Sequence, residues 1–336
     1  MKEEKKEMKE MKKNKPAAAH GLGESLKAYR GEMAAARKCE NINDPVDTYV
    51  IDFLANGWTR LFIRLGIIPN AVTILSMLSG VAGGVLIAFH TLPLTIVGVV
   101  LVILSAVFDS SDGQVARRTK HFSEIGRMLD GLSDSVVYIT LLTANAIRAA
   151  QHCPISNQTL WSVGMGVLAL VVYLIYIRQC QLADYFKNLH MYMIDNSHGS
   201  ELSRAKDVRA QRDAAPKGSF RRFSLSCYGL YTKTQENRAP QTQRMLDKIE
   251  RLGKSDRMSD DFYAVSRRLV MRTNLMTFNL RTAVLFLCLF LHWEIWAFAF
   301  VLVVLEPIRM ILLRKYENLA RQLQADRYYA AEPAEV

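Results

Sequence analysis

Four aspartates in one short segment carry the chemistry of this sequence. Asp109 and Asp112, then Asp130 and Asp134, stand in FDSSDGQVARRTKHFSEIGRMLDGLSDSVVY, residues 108–138. On helices, Asp109, Asp112 or Gly113, and Ala116 recur at steps of about three or four residues, and Gly126, Asp130 and Asp134 at steps of four, so each set shares a face. Two neighbouring helices can thus aim four carboxylates at a common point. Carboxylates crowded together repel, and some stay protonated unless a counter-charge is present. Two divalent cations would supply it, and hard oxygen donors favour Mg²⁺ or Mn²⁺. Zinc would want His or Cys, which the segment lacks at suitable spacing; the lone His121 reads as a surface residue. Gly113, Ala116 and Gly126 leave the two faces nearly bare, so the helices close in or a ligand's phosphates or ribose lie against the backbone. Arg117, one turn from Gly113, suits a pyrophosphate. Such a set serves displacement at phosphorus, with cations neutralising phosphate oxygens and a carboxylate deprotonating the attacking hydroxyl.

The elements that must position these groups are membrane helices. The 336 residues are 50% hydrophobic yet carry a formal charge of +11, a combination that requires apolar and charged residues to be segregated. Nucleic-acid binding would instead line a soluble domain with positive charge and leave the apolar runs unexplained. Those runs cover residues 71–90, 91–108, 132–150, 160–177, 273–292 and 295–312, the last interrupted by Glu306 and Pro307. Each approaches the roughly 20 residues that cross about 30 Å of hydrocarbon. Six spans are expected, in an all-α integral membrane fold. The segments joining spans 1–2, 3–4 and 5–6 have almost no Lys or Arg, Arg148 being the near exception, whereas the other side is rich in both. Both termini and the aspartates are therefore expected on the cytosolic side. An aspartate costs about 2.5–3.5 kcal/mol at mid-membrane and less near the interface, which suits helix ends.

Around the spans, residues 1–43 read as a charged, largely disordered extension without signal-peptide character. Residues 44–194 hold an amphipathic helix and spans 1–4. In that helix Val46, Tyr49, Val50, Phe53, Leu54, Trp58, Leu61, Phe62 and Leu65 fall at helical spacing, which fits the membrane interface, with a core-facing helix as the alternative. Residues 195–270 form a basic cytosolic insertion, 271–315 hold spans 5 and 6, and 316–336 form a cytosolic tail. In the insertion Met245, Leu246, Ile249 and Leu252 suggest one face of a short helix, and Arg221-Arg222-Phe223 either rests on anionic headgroups or belongs to a solvated, partly disordered stretch. The five cysteines, Cys39, Cys153, Cys180, Cys227 and Cys288, show no metal or redox spacing.

The spacing Asp109-x2-Asp112-Gly113-x2-Ala116-Arg117-x8-Gly126-x3-Asp130-x3-Asp134 resembles the signature of the CDP-alcohol phosphotransferase (CDP-alcohol phosphatidyltransferase) family, with every fixed position present. Pro69, Asn70 and Thr73 at the start of span 1, after an interfacial helix, are similar to that family too. The resemblance covers residues 44–190 and 273–313, and omits the extension and the insertion. It implies that Asp109, Asp112 and Asp130 hold two Mg²⁺ or Mn²⁺ ions, with Asp134 as a further ligand and the general base. It implies that Gly113, Ala116, Arg117 and Gly126, with Asp109, receive the CDP moiety. The hydroxyl then attacks phosphorus on the alcohol side of the pyrophosphate and CMP leaves. A homodimer in a bacterial inner membrane, or in the endoplasmic reticulum, goes with the resemblance.

The compact chain is most like family members that take CDP-diacylglycerol and a small polar alcohol, here inositol or inositol phosphate, with membrane lipids around it. Transfer of phosphocholine or phosphoethanolamine to a lipid alcohol is the alternative. Arg178, Arg281 and Arg309 lie towards the cytosolic side of spans 4, 5 and 6 and can hold an anionic acceptor. For Arg178 and Arg309 the competing reading is a basic flank that snorkels to headgroups. An ion-binding transport protein is the rival class, but it would spread acidic residues along several spans at mid-membrane depth.

Overall fold

The computed structural model describes residues 50–121, 124–194 and 202–329, and helices dominate them, with no strand among them. The extension 1–43, the start of the amphipathic segment up to Tyr49, Cys39, residues 195–201 and the end of the tail lie outside the described residues. Chain order gives α1 (Asp52–Arg64), α2 (Pro69–Ala88), α3 (Leu92–Thr119), α4 (Glu124–Gln151), α5 (Gln158–Ile194), α6 (Ala205–Ala214), α7 (Phe220–Arg238), α8 (Pro240–Leu252) and α9 (Asp256–Thr273). A 3₁₀ turn at Asn274–Met276 leads into α10 (Phe278–Phe290), followed by α11 (Glu294–Ala299), a π-helical turn (Phe300–Leu305) and α12 (Glu306–Gln322).

Among the described residues five stretches are long and apolar enough to cross a membrane: Pro69–Ala88, Leu92–Thr119, Gln158–Ile194, Asp256–Phe290 and Glu294–Gln322. The remaining expected span falls in α4, which stays outside that set because Asp130, Asp134, Asn145 and Arg148 thin out its apolar residues. It still packs between α2 and α5, burying Val137, Tyr138, Leu141, Leu142 and Ala144. The sixth expected run survives its Glu-Pro interruption. Proline has no N–H to donate and its ring crowds the carbonyl four residues earlier, and the wider π turn just before Pro307 accommodates both.

The α2–α3 pair is held by small residues and hydroxyls. A Cβ added at Gly83 would come within 2.6 Å of the Gly98 carbonyl oxygen, so only glycine allows this crossing. Ser76 Oγ donates to the Ser105 carbonyl at 2.9 Å, Ser105 Oγ returns the bond at 2.8 Å, and Ser79 Oγ reaches the Leu101 carbonyl at 2.9 Å.

The amphipathic segment forms α1 over its described part. Ala55, Asn56, Thr59 and Phe62 bury against α3, while Phe53, Leu54, Leu61 and Leu65 are exposed, so an apolar stripe faces away from the protein. Polar contacts fix the seat: Ser110 Oγ donates to Asp52 at 2.7 Å and Arg118 donates to Asn56 Oδ1 at 2.5 Å.

Two helices run well past the apolar runs that announced them, α3 to Thr119 and α5 to Ile194. On the extended end of α5 the insertion folds, where a partly disordered stretch was one expectation. Within it, α8 packs on α12 and α9 on both α5 and α12. Met245, Leu246 and Ile249 are buried as their spacing predicts, but Leu252 is exposed, because α8 ends there and the chain turns at Gly253 with φ 81°. Phe186 of α5 stacks on Tyr316 of α12 at 3.6 Å, and His190 bonds Ser266 of α9 at 2.7 Å.

Candidate active site

The carboxylates come from the lower turns of two helices. Asp109 and Asp112 sit on α3 below its apolar run, and Asp130 sits on the first turns of α4. Donor atoms of Asp109, Asp112 and Asp130 all lie within 4.8 Å of one another. Asp112 is buried and receives a hydrogen bond from Thr73 Oγ1 on α2. The third helix thereby fixes one carboxylate, which explains why a threonine opens span 1. Asp109 Oδ1 is buried with no hydrogen-bond partner. A carboxylate oxygen denied both water and a donor is costly unless a cation completes it, so the residues present fit a hard divalent ion.

Asp134 lies one turn along α4 from Asp130, is exposed, and stands outside the converging trio. Its charge still acts on Asp109, as do those of Asp112 and Asp130. Asp134 is the foremost of the three charges acting on Asp109, so it stays close to the cluster although its carboxylate lies beyond the 4.8 Å grouping. Arg117 folds back along α3, so that a Cβ on Gly113 would meet its Nη1 at 3.2 Å. Gly113 leaves room for that guanidinium to lie along the helix beside Asp112. Ala116 and Gly126 are half-buried at the same end.

The three arginines singled out from the sequence divide into two places. Arg281 on α10 is 2% exposed. Its Nε donates to the Thr277 carbonyl at 3.1 Å and its Nη2 to that of Met276, while Nη1 has no partner. The guanidinium lies 4.5 Å from the Tyr176 ring and 5.4 Å from the Tyr138 ring. Two aromatic faces thus hold a buried cation with an open donor. Arg309 makes a two-point ion pair with Glu306, at 2.6 and 2.9 Å, and Arg178 is exposed.

Arg178 and Arg309 instead flank Arg238, at the end of α7 in the insertion. Burial, then the positive charges of Arg178 and Arg309, pull the Arg238 guanidinium below its ordinary value, and Gln181 Oε1 accepts from it at 2.5 Å. Sequence reasoning missed Arg238, since a basic residue in a basic insertion carries no spacing signal. It missed the Tyr138–Tyr176 bracket as well, although both tyrosines break apolar runs.

Residues 66–198 match the family model for CDP-alcohol phosphatidyltransferase. The match contains Thr73 and every residue of the aspartate motif, and stops before Arg238, Arg281 and Arg309. No curated protein and no solved structure matches the chain.

Proposed function

With a CDP-alcohol phosphatidyltransferase domain at residues 66–198 the chain is a phosphotransferase of that family, and we propose that it moves a phosphatidyl group from CDP-diacylglycerol to a small polar alcohol, the anionic inositol phosphate or uncharged inositol being the best fit. The observation that carries the reading is the trio Asp109, Asp112 and Asp130 with the unpartnered Asp109 Oδ1.

In this reading Asp109, Asp112 and Asp130 would hold two Mg²⁺ or Mn²⁺ ions, which would neutralise the pyrophosphate oxygens and the leaving CMP. Thr73 keeps the Asp112 carboxylate aimed at the trio. Arg117 pairs with the pyrophosphate, and Gly113, Ala116 and Gly126, with Asp109, admit the nucleotide close to the backbone. Asp134, one turn outside the trio, takes the proton of the attacking hydroxyl. The acceptor oxygen bonds to the phosphorus on the lipid side, the bridging P–O bond breaks, and CMP departs with that oxygen. Arg281 meets the acceptor's negative charge with the donor that the protein leaves unsatisfied. Arg178, Arg238 and Arg309 form the outer, basic approach for an anionic substrate. The reading includes a homodimer and an inner membrane with the site on its cytosolic face.

The test is CMP release by purified protein with Mn²⁺ or Mg²⁺. CDP-diacylglycerol is offered with inositol phosphate, inositol, glycerol phosphate or serine, and CDP-choline is offered with diacylglycerol. Reaction with an anionic alcohol and CDP-diacylglycerol supports the proposal. Reaction confined to CDP-choline and diacylglycerol overturns the choice of substrates.

A further inference from the structure

The end of the bundle opposite the aspartates holds a second cluster that the transfer reaction does not use. Each connection on that side carries a histidine: His90 between α2 and α3, His152 between α4 and α5, and His292 between α10 and α11. His90 and His292 both stand in the left-handed region, φ 57°, just past the ends of α2 and α10. Thr73, which bonds Asp112, lies at the other end of the same helix, and the 17 residues to His90 separate the two places by about 25 Å.

The side chains converge on one another. His90 Nε2 and His292 Nδ1 are 3.1 Å apart, and His90 Nε2 lies 4.0 Å from Glu294 Oε1. Donor atoms of these three residues all fall within 4.8 Å. Partners outside the cluster prepare two of them, His90 and Glu294, as ligands. His90 Nδ1 faces Gln151 Oε1 at 2.6 Å; that oxygen only accepts, so the proton sits on Nδ1 and the Nε2 lone pair points into the cluster. Glu294, buried at 3% exposure, is oriented by Arg148 Nε at 3.1 Å. Outer partners that fix the tautomer of a histidine and the angle of a carboxylate are what a bound transition metal needs.

We propose that His90, His292 and Glu294 form a separate site for a zinc-class divalent cation that ties the ends of the helical hairpins together. Two imidazoles and one carboxylate suit such an ion, as the all-oxygen aspartate trio does not. Tetrahedral ligation sets donor atoms about 3.4 Å apart, so the 4.0 Å between His90 Nε2 and Glu294 Oε1 closes by about half an ångström on binding. The exposed His292 gives the ion a way in, and the fourth position stays open to water or to His152, whose ring centre lies 5.1 Å from that of His90. Nothing in this inference depends on the substrates of the transfer reaction.

The test uses full-length protein stripped with chelator, then saturated with Mg²⁺ to fill the aspartates. Wild type and the double variant His90→Asn/His292→Asn are titrated with Zn²⁺ against a competing dye, and with Co²⁺ followed by its visible spectrum. Asparagine tolerates the left-handed backbone of both positions. The proposal expects wild type to take up one more Zn²⁺ per chain than the variant and to give the intense Co²⁺ bands of four-coordinate nitrogen and oxygen ligation. Equal uptake by both proteins, or weak six-coordinate Co²⁺ bands alone, would overturn it. If the variant does not fold, carbethoxylation of wild type decides. Zn²⁺ but not Mg²⁺ should shield His90 and His292, and equal labelling with either ion counts against the site.

Discussion

Replacing Arg281 by methionine separates the recognition of the acceptor from the stability of the fold. The side chain is 2% exposed, no carboxylate is paired with it among the described residues, and Nη1 is without a partner. A buried donor without an acceptor costs about 1–3 kcal/mol, which the contacts with Tyr176 and Tyr138 offset only in part. Methionine fills a similar volume and removes that cost, so the unfolding temperature in detergent should hold or rise. Turnover should move the other way. A hydrogen bond to a charged group contributes about 1.5–3 kcal/mol, and about 1.36 kcal/mol is tenfold, so kcat/KM for an anionic acceptor should fall about 10- to 150-fold. The assay is CMP release with CDP-diacylglycerol, comparing inositol phosphate with uncharged inositol in wild type and variant. The fall should be steep for the phosphate and slight for inositol. Equal losses for both acceptors, or a lowered unfolding temperature that accounts for the loss, would refute the assignment of Arg281 to the acceptor.

Three further outcomes follow from the same geometry. Asp134→Asn should cut turnover about 10²- to 10⁴-fold as the loss of a general base, while Mn²⁺ binding measured by electron paramagnetic resonance stays near wild type, since Asp134 stands outside the trio. Gly83→Ala should destabilise the α2–α3 pair by about 1–3 kcal/mol in reversible unfolding, because its Cβ would sit 2.6 Å from the Gly98 carbonyl oxygen; an unchanged unfolding curve would show that the crossing is looser. Ile249→Ala should cost about 2–5 kcal/mol and increase proteolysis within residues 205–252, whereas an unaffected digest would argue against a packed insertion.

The parts of this molecule that a sequence shows are those governed by local periodicity. The four-residue step from Gly126 to Asp130 to Asp134 sets one face of α4 whatever surrounds it, and the run from Ala71 to His90 must be helical once it enters lipid. Sharing a helix face leaves a freedom of one turn, about 5.4 Å, so only packing against α3 sets how near Asp130 and Asp134 come to Asp109. The helices α3 and α5 outrun their apolar stretches for a related reason. Hydropathy marks where lipid contact stops, whereas the polar turns beyond are held by α1 and by the insertion. The insertion itself was opaque: the apolar face of α8 was visible at Met245, Leu246 and Ile249, but its partner is α12, where Glu317 accepts from Thr242 across 75 residues of sequence. Arg238 and the histidine cluster belong to the same class, since residues drawn from distant turns leave no pattern along the chain.

The claim at the centre of this account is that Asp109, Asp112 and Asp130 hold divalent cations for transfer from a CDP-linked donor. It is tested most directly by CMP release from CDP-diacylglycerol after EDTA treatment and metal replacement, in wild type and in Asp109→Asn. EDTA should abolish turnover, and Mn²⁺ or Mg²⁺ should restore it in wild type but not in a folded Asp109→Asn protein. Turnover that persists in EDTA, or an Asp109→Asn enzyme that recovers as wild type does, would contradict it.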